Sequence, residues 1–450
     1  MGRLFGTDGV RGIAGTELSC ELAMKIGRAA AYVLTKHSSK KPVILIGRDT
    51  RISGEMLEAS LVAGICSVGA DCCLIGVVPT PAVALLVGKY NCKAGIMISA
   101  SHNSMKFNGI KIFDDKGFKL SDDLELEIEK YVLDFEDKIP HKSCEQIGRC
   151  FYCKKAVDDY VKYICETIDG DLSGLKIAVD CANGSASATA KNLFEALSAD
   201  AKFINDKPDG CNINKDCGST HIEQFADYVK KGDFDVGVAF DGDADRCLAV
   251  DENGVLIDGD QLIAIFAKHM KDGGLLDNDT VVVTIMSNLG FFHFAKNNNI
   301  NCEVTSVGDR YVLENMLKNG HKIGGEQSGH IIFKDYANTG DGQLTAVQLI
   351  KCIKDSKKTF SQLASLMEKF PQILVNIKAD AIQKETYSKS EKIKNYIKNQ
   401  ENILGNDGRI LVRCSGTEPI IRVMLEGKDM DLIKKISNDI VNKITKVLEI

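Results

Sequence analysis

Short apolar segments alternate with amphipathic segments along most of this chain, and the alternation is repeated in three successive passes. The first pass begins with "VILIG" at residue 43 and ends with "GIMI" at 95–98. The second runs from "LKIAVD" to "DVGVAF", and the third from "TVVVTI" to "HKIGG". Strands that alternate with helices indicate parallel sheets built from right-handed βαβ units. The sequence therefore predicts an α/β fold in which one kind of module occurs three times.

The chain beyond about residue 370 follows a different pattern. Two apolar strands flank the loop 413–419, accompanied by a charged helix and a last amphipathic helix from residue 429. A chain of 450 residues is also too long for a single hydrophobic core. We therefore predict four domains: three topologically related α/β domains with mixed or parallel sheets, and a C-terminal α+β domain. Their expected bounds are 1–150, 151–252, 253–368 and 369–450.

Composition and charge exclude several classes of protein. The net charge is −6 and both signs are well mixed, so no basic patch offers itself to nucleic acid or to an anionic membrane. The longest apolar runs are too short to span a bilayer, and residues 1–30 lack the pattern of a signal peptide. The 16 cysteines are scattered and often lie in apolar runs, which is typical of reduced, structural thiols. We expect a cytoplasmic protein without nucleic-acid or membrane partners.

Each of the three passes ends in a polar loop: "SASHNS", then "DGDADR", then "GGEQSGH". Ligands of open α/β sheets bind beyond the carboxyl ends of the strands. Three modules that each present such a loop can share one cleft, so these loops are the first place to look for a functional site.

The loop "DGDADR" places Asp241, Asp243 and Asp245 in one turn between two apolar strands. Three carboxylates this close repel one another unless a cation lies between them, and oxygen ligands at this spacing suit Mg²⁺ or Ca²⁺. An EF-hand is excluded because Arg246 stands where that loop needs glycine. The sequence predicts a divalent cation that takes its remaining ligands from water or a phosphate.

The loop "RCSGTEPIIR" combines forked guanidinium donors with a turn of small residues, a pattern that favours anion binding. Its candidate groups are Arg413, Ser415, the backbone N–H groups of Gly416 and Thr417, and Arg422. The alternative is an ordinary turn with exposed arginines. Similarly, Glu326, Ser328 and His330 in "GGEQSGH" suit the hydroxyl groups of a sugar, or form a plain glycine-rich turn.

Ser101 ends an apolar strand and has three interpretations. A hydrolase nucleophile would lie in G-x-S-x-G, which this stretch does not match. His102 is not expected to be its base, because neighbouring side chains on an extended chain point apart. The serine is then either structural or a carrier of a phosphoryl group beside the metal, with Lys111 to neutralise that phosphate or to move a proton.

The four loops "SASHN", "DGDADR", "GEQSGH" and "SGTEP", in this order, resemble those of the α-D-phosphohexomutase superfamily along the whole chain. The segments "GRLFGTDGVRG", "GRDTRISGEML" and "VGDRYVLE" are similar to its bacterial branch that converts glucosamine 6-phosphate to glucosamine 1-phosphate. The resemblance implies four domains around a central cleft, one Mg²⁺ per subunit and a hexose 1,6-bisphosphate as intermediate and activator. The product would feed UDP-N-acetylglucosamine and peptidoglycan synthesis.

The resemblance also implies a role for each matching residue. Ser101 matches the phosphoserine, and with its phosphate oxygen Asp241, Asp243 and Asp245 match the Mg²⁺ ligands. Glu326 and Ser328 match contacts to sugar hydroxyls, and the binders of the nonreacting phosphate match Arg413, Ser415, Gly416, Thr417 and Arg422. Residues near the reacting centre match Arg11, His102, Lys111, Arg246 and His330. Lys111 and His330 are both candidates for handling the proton of the sugar hydroxyl.

Two residues depart from the family pattern, and several functions stay open. Ser104 and Cys414 stand where the family usually has proline, which predicts looser loops without the loss of a ligand.

The nearest alternative function is that of a phosphomannomutase or phosphoglucomutase, and Gln327 alone cannot decide it. Remoter alternatives are a metal-dependent sugar phosphatase and a non-enzymatic protein that binds Ca²⁺ or a sugar phosphate. A homodimer is compatible with the sequence, which does not determine the oligomeric state.

Overall fold

The first part of the chain forms a mixed six-stranded sheet covered by helices. Its elements are β1 (Val10–Ile13), α1 (Cys20–Thr35), β2 (Val43–Arg48), α2 (Ser53–Ser67), β3 (Asp71–Val77), α3 (Thr80–Lys89), β4 (Ala94–Ile98), β5 (Phe107–Phe113), α4 (Asp122–Leu133) and β6 (Cys150–Tyr152). The strand order is β1-β5-β4-β2-β3-β6 in this computed structural model, which describes residues 2–6, 8–135, 138–415 and 419–449. The strands β2, β3, β4 and β6 are parallel. The connection 99–106 is shorter than the roughly dozen residues of a crossover, so β5 returns antiparallel to β4.

The second part repeats this design with five strands. It contains α5 (Ala156–Cys165), β7 (Lys176–Asp180), α6 (Ala190–Ala196), β8 (Asp200–Ile204), α7 (Glu223–Lys231), β9 (Val236–Phe240), β10 (Cys247–Asp251) and β11 (Leu256–Ile257). The order is β11-β10-β9-β7-β8, with β7, β8 and β9 parallel. The short loop 241–246 forces β10 to run antiparallel to β9, which places the three aspartates at the carboxyl end of a buried strand.

The third part contains a four-stranded sheet in the order β13-β12-β14-β15. Its elements are α8 (Gly259–Asp272), β12 (Thr280–Thr284), α9 (Leu289–Asn297), β13 (Asn301–Thr305), α10 (Asp309–Asn319), β14 (Ile323–Gly325), β15 (Ile331–Phe333), α11 (Gly342–Ser356) and α12 (Phe360–Ala364). The strands β12, β13 and β14 are parallel, and β15 is antiparallel to β14. The loop with Glu326 and Ser328 connects these last two strands.

The last part is a three-stranded antiparallel sheet with helices, as the sequence predicts. It contains β16 (Gln372–Lys378), α13 (Ala381–Lys389), α14 (Glu391–Leu404), β17 (Gly408–Cys414), β18 (Ile420–Gly427) and α15 (Met430–Leu448), with strand order β16-β18-β17. The buried residues of α15 recur every three or four positions and join the core with the sheet: Ile433, Ile436, Ile440 and Ile444. The prediction of three mixed α/β domains and one α+β domain is confirmed.

Contacts divide the chain into two compact units, residues 1–286 with 300–366 and residues 287–299 with 367–450. Helix α9 therefore belongs to the second unit, although it lies between two strands of the third part in sequence. Its cap residue Asn288 exchanges hydrogen bonds with the backbone of Phe370, at 2.9 and 3.0 Å. None of the described helices is long and apolar enough to cross a membrane.

Candidate active site

The loop 241–246 gathers the three predicted carboxylates. Asp241, Asp243 and Asp245 are buried, and one oxygen of each lies within 4.8 Å of the others. The Oδ1 atoms of Asp243 and Asp245 are buried and have no hydrogen-bond partner among the described residues. Burial, and then repulsion by Asp245 and Asp243, raises the pKa of Asp241 to about 8. A set of oxygen ligands with this excess of negative charge fits a hard divalent cation such as Mg²⁺.

Ser101 lies directly against this loop. Its side chain is buried, and its Oγ donates a hydrogen bond to Asp241 Oδ2 at 2.5 Å. The approach is close because residue 242 is glycine: a Cβ there would lie 2.6 Å from the carbonyl oxygen of Ser101. The serine predicted as a phosphoryl carrier and the predicted metal ligands therefore form one cluster.

His102 contacts the serine, and the prediction that the two side chains point apart is wrong. Ser101 has a φ of 51°, in the left-handed region, so the chain is not extended here. His102 Nδ1 consequently lies 3.3 Å from Ser101 Oγ. Burial, followed by the charges of Arg246 and Arg11, lowers the pKa of His102 to about 4. The imidazole is therefore neutral near pH 7.

Lys111 extends from β5 into the carboxylate cluster and is almost fully buried. Its Nζ lies 2.9 Å from Asp243 Oδ2, 3.4 Å from Asp245 Oδ2 and 3.2 Å from Asp8 Oδ2. Burial disfavours the ammonium, but these carboxylates outweigh it and raise the pKa of Lys111 well above its usual value. The centre therefore contains a fixed positive charge.

His330 approaches the same carboxylates from the other side. Its Nδ1 lies 3.8 Å from Asp245 Oδ2, and its Nε2 accepts the Gly340 N–H at 3.0 Å. Burial lowers the pKa of His330, but Asp245 and Asp309 outweigh this and raise it. Asp245 is therefore flanked by Lys111 and His330, which together with Arg246 hold the pKa of this carboxyl low against the opposing effect of burial.

Arg246 and Arg11 complete the positive surroundings of the serine. The backbone N–H of Arg246 donates to Asp241 Oδ1 at 3.3 Å, and Arg11 pairs with Asp8. The Nε of each guanidinium is buried without a hydrogen-bond partner among the described residues. Unused guanidinium donors beside a serine are what a phosphate requires.

Lys119 and Asp309, which sequence reasoning missed, connect these groups through Asp8. Lys119 Nζ lies 2.7 Å from Asp8 Oδ1 and 2.6 Å from Asp309 Oδ2, so it links the first and third α/β modules. Asp309 Oδ2 is in turn 3.5 Å from His330 Nε2. The segments that contain Asp8 and Asp309 are visible in the sequence, but no spacing indicates that one lysine joins them.

The loop with Glu326 and Ser328 and the start of α11 pack against the aspartate loop 241–246 and the first residue of β10. The N–H of Cys247 donates to Gly329 O and the N–H of Gly342 to Ala244 O, both at 3.0 Å. Glu326 accepts the Gly308 N–H at 2.9 Å, and Ser328 has a buried Oγ without a partner among the described residues. The predicted sugar contacts Glu326 and Ser328 therefore lie beside the aspartate loop 241–246, each with an acceptor or donor to offer. Gln327 instead donates to Asp258 Oδ2 at 3.3 Å, at the start of α8.

The arginine pair lies in the second unit. Arg413 on β17 and Arg422 on β18 are direct partners across the antiparallel ladder, and both are half-buried. Burial, and then the charge of Arg422, lowers the pKa of Arg413. Like charges in direct opposition destabilise a sheet unless an anion lies between them. Ser415 is buried close by, and its carbonyl accepts a bond from Lys384 Nζ at 2.8 Å. Gly416 and Thr417 lie outside the described residues.

Comparison with known proteins identifies the family of the chain. Models of four phosphoglucomutase/phosphomannomutase domains match the chain: α/β/α domain I at residues 2–138, domain II at 157–254, domain III at 258–370 and the C-terminal domain at 349–443. The phosphoglucosamine mutase of Acetivibrio thermocellus is 56% identical over 448 residues, which is 100% of both chains.

Two solved structures have the same fold. A phosphoglucomutase/phosphomannomutase family protein from Burkholderia thailandensis is 23% identical with a TM-score of 0.83, over 98% of this chain and 97% of that one. The N-acetylphosphoglucosamine mutase of Aspergillus fumigatus, solved with GlcNAc-6P and magnesium, is 17% identical with a TM-score of 0.71, over 99% and 96%. Four matched domains in the family's order, together with full-length identity above half, show that this chain belongs to the phosphoglucomutase/phosphomannomutase family of α-D-phosphohexomutases.

Proposed function

We propose that the protein interconverts glucosamine 6-phosphate and glucosamine 1-phosphate through a phosphorylated Ser101. The observation that carries this proposal is the 2.5 Å hydrogen bond from Ser101 Oγ to Asp241, inside a triad of buried aspartates. The choice of an amino sugar is supported by the 56% identity to a phosphoglucosamine mutase over the whole chain.

We propose that Asp241, Asp243 and Asp245 hold one Mg²⁺ together with a phosphate oxygen on Ser101. The buried carboxylate oxygens without partners on Asp243 and Asp245 support this assignment. The Aspergillus fumigatus enzyme, which was solved with magnesium, supports the choice of ion. Mg²⁺ when bound supplies a positive charge next to the transferring phosphoryl group.

The reaction has two phosphoryl transfers. In the first, the bond between phosphorus and Ser101 Oγ breaks as a bond from phosphorus to the sugar O1 forms. The O1 proton passes to a base. Of the two candidates from the sequence, Lys111 has a pKa raised well above its usual value and is an ammonium at rest, so His330 is the one that the structure favours. The resulting 1,6-bisphosphate turns over, its 6-phosphate is transferred to Ser101, and O6 regains a proton. Lys111, Arg246 and Arg11 would stabilise the charge on the transferring group.

The remaining roles follow from the two ends of the substrate. Glu326 and Ser328 would bind the sugar hydroxyls. Arg413, Ser415 and Arg422, with Gly416 and Thr417, would bind the phosphate that is not reacting, and each phosphate takes this place in turn. A phosphoglucomutase or phosphomannomutase activity is the nearest alternative. The domain bounds, a cytoplasmic location and a homodimer remain proposals.

The test is turnover of glucosamine 6-phosphate, glucose 6-phosphate and mannose 6-phosphate side by side, with Mg²⁺ and a trace of hexose 1,6-bisphosphate, followed by phosphorus NMR. We expect the highest kcat/KM with the amino sugar and no release of inorganic phosphate. A preference for glucose 6-phosphate or mannose 6-phosphate would show that the natural substrate is not the amino sugar. Release of inorganic phosphate would indicate a phosphatase.

A further inference from the structure

One arginine outside the residues discussed so far binds the serine loop from behind. Arg51 lies between β2 and α2 and is only 1% exposed, so it does not face solvent or substrate. Its guanidinium donates hydrogen bonds to backbone carbonyls of the loop that carries the serine. The acceptors are the carbonyl oxygens of Ser101 at 2.9 Å, Asn103 at 2.8 Å, Phe107 at 3.0 Å and Ser104. Four carbonyls of one short loop therefore converge on a single side chain.

The charge of Arg51 is balanced by an aspartate that also reaches the serine. Asp49 Oδ2 accepts from Arg51 Nε at 2.8 Å and from Ser99 Oγ at 2.7 Å. Ser99 Oγ in turn accepts the backbone N–H of Ser101 at 2.9 Å. The buried pair Asp49–Arg51 thus fixes both backbone groups of Ser101: Arg51 binds its carbonyl, and Asp49 holds the Ser99 hydroxyl that accepts its N–H.

A residue of the second α/β module binds the same loop. The side-chain amide of Asn214 donates to the carbonyl of Ser101 at 2.8 Å and to that of Asn103 at 3.0 Å. The segment next to Arg51 is also joined to this module, because Ile52 N–H donates to Gly210 O at 2.9 Å. The serine loop and the module that carries the aspartates are therefore fixed to each other by backbone contacts.

The loop needs such support. A serine in the left-handed region is less stable than an extended one, because its Cβ lies too close to the following carbonyl oxygen. Ser104 also lacks the restraint that a proline would give at this position. The carbonyl contacts of Arg51 on both sides of these two residues hold the loop in the one conformation that directs Ser101 Oγ at Asp241.

We propose that Arg51, with Asn214, is a positioning residue for phosphoryl transfer: it sets the place of Ser101 Oγ relative to the aspartate triad without contacting the substrate. The inference rests on the proposed phosphoserine function of Ser101. Because Arg51 acts through the loop backbone, its loss affects kcat in both transfers and leaves the binding of sugar phosphate unchanged.

The experiment compares Arg51→Lys with Arg48→Lys. Lysine retains the charge beside Asp49 but cannot reach four carbonyls with a planar fork. Arg48, three residues earlier, pairs instead with Glu55 at 3.0 Å and with Glu58 at 3.6 Å, and is the matched control. Asn214→Ala is a second variant, which removes the hydrogen bonds from the Asn214 side-chain amide to the carbonyls of Ser101 and Asn103. Measurements are kcat, KM, the melting temperature, and the fraction of chains phosphorylated at Ser101 by hexose 1,6-bisphosphate.

For Arg51→Lys we expect a cooperative melt, a KM within twofold of the original, and a kcat lower by about 100-fold, as for a misplacement near 1 Å. Asn214→Ala should show a smaller decrease of the same kind, and Arg48→Lys none. Arg51→Ala should regain part of its kcat when methylguanidinium is added, which a purely structural role would not produce. The proposal would be overturned if Arg51→Lys left kcat unchanged, or if KM rose by the same factor by which kcat fell. If the original protein itself accepts no phosphate at Ser101, the proposed function has failed instead.

Discussion

The cluster of Ser101 with the three aspartates and the arginine pair of the C-terminal sheet contain different combinations of charge. In the first, Asp241, Asp243 and Asp245 are buried beside Lys111 and His330, so that carboxylates and basic groups share one cluster. In the second, Arg413 faces Arg422 across two strands, and the pKa of Arg413 is lowered by burial and by this neighbour. One region thus combines both signs of charge, and in the other two arginines are direct neighbours on adjacent strands.

This difference indicates two tasks. A centre with fixed counter-charges stabilises a charge that develops during the reaction, since it does not have to rearrange. On the proposed function, the two arginines bind the phosphate that is not reacting, which supplies binding that is equal for the substrate and the transition state. Substitutions in the first region should therefore lower kcat, and those in the second should raise KM.

Ser101→Ala should have the largest effect. Removal of the Oγ eliminates the covalent step, so we expect kcat to fall by at least about 10³-fold. Binding of glucosamine 6-phosphate, measured by calorimetry, should be retained because the arginine pair is intact. Significant remaining turnover would show that the phosphoryl group is carried elsewhere.

Asp243→Asn should have the next largest effect. Asp243 Oδ2 accepts bonds from Lys111 and from Thr80 Oγ1 at 2.6 Å, and its Oδ1 is buried without a hydrogen-bond partner among the described residues. Loss of one carboxylate should reduce activity by at least about 100-fold and shift the Mg²⁺ concentration for half-activity upwards, measured after treatment with a chelator.

The control for this variant is Asp251→Asn at the other end of β10. Asp251 is also buried, but its Oδ1 accepts turn N–H groups from Asn253 and Val255. Its replacement should leave the Mg²⁺ dependence unchanged. An equal shift in both variants would argue against a metal site at the triad.

Arg413→Ala should affect binding. A lost charge-assisted hydrogen bond of about 1.5–3 kcal/mol corresponds to a KM about 10–100-fold higher, with a smaller change in kcat. Arg409→Ala on the same strand is the matched control, because Arg409 pairs with the buried Glu426 at 2.6 Å. That control should lower the melting temperature and leave KM alone. If kcat of Arg413→Ala falls as far as that of Asp243→Asn, the contrast between the two regions is wrong.

Ser104→Pro should have the smallest effect. The position is exposed, and proline keeps the carbonyl that Arg51 binds. We expect a gain of about 0.4–1 kcal/mol in the free energy of unfolding, through a less flexible unfolded chain. The kcat should stay within twofold, because Arg51 already fixes the loop. A large rise in kcat would show instead that Ser104 leaves the loop loose.

Local patterns predicted much of the fold and the cluster of three aspartates. The three aspartates lie within one turn, so their meeting follows from sequence spacing alone. The connections before β5 and β10 are also too short for a parallel crossover, so the antiparallel direction of these two strands follows from the sequence. The prediction for His102 was wrong because a left-handed serine cannot be inferred from its neighbours in sequence. Residues such as Lys119 and Arg51 were not predictable as site residues, because their partners lie far away along the chain.

The most direct test of the phosphoserine account is to follow one phosphoryl group. The protein is incubated with hexose 1,6-bisphosphate labelled in its phosphates and with Mg²⁺, and the modified residue is located by tandem mass spectrometry. We predict one labelled phosphate per chain on the peptide with Ser101, which glucosamine 6-phosphate then removes as labelled sugar phosphate. Label on another residue, or its release as inorganic phosphate, would contradict the role proposed for Ser101.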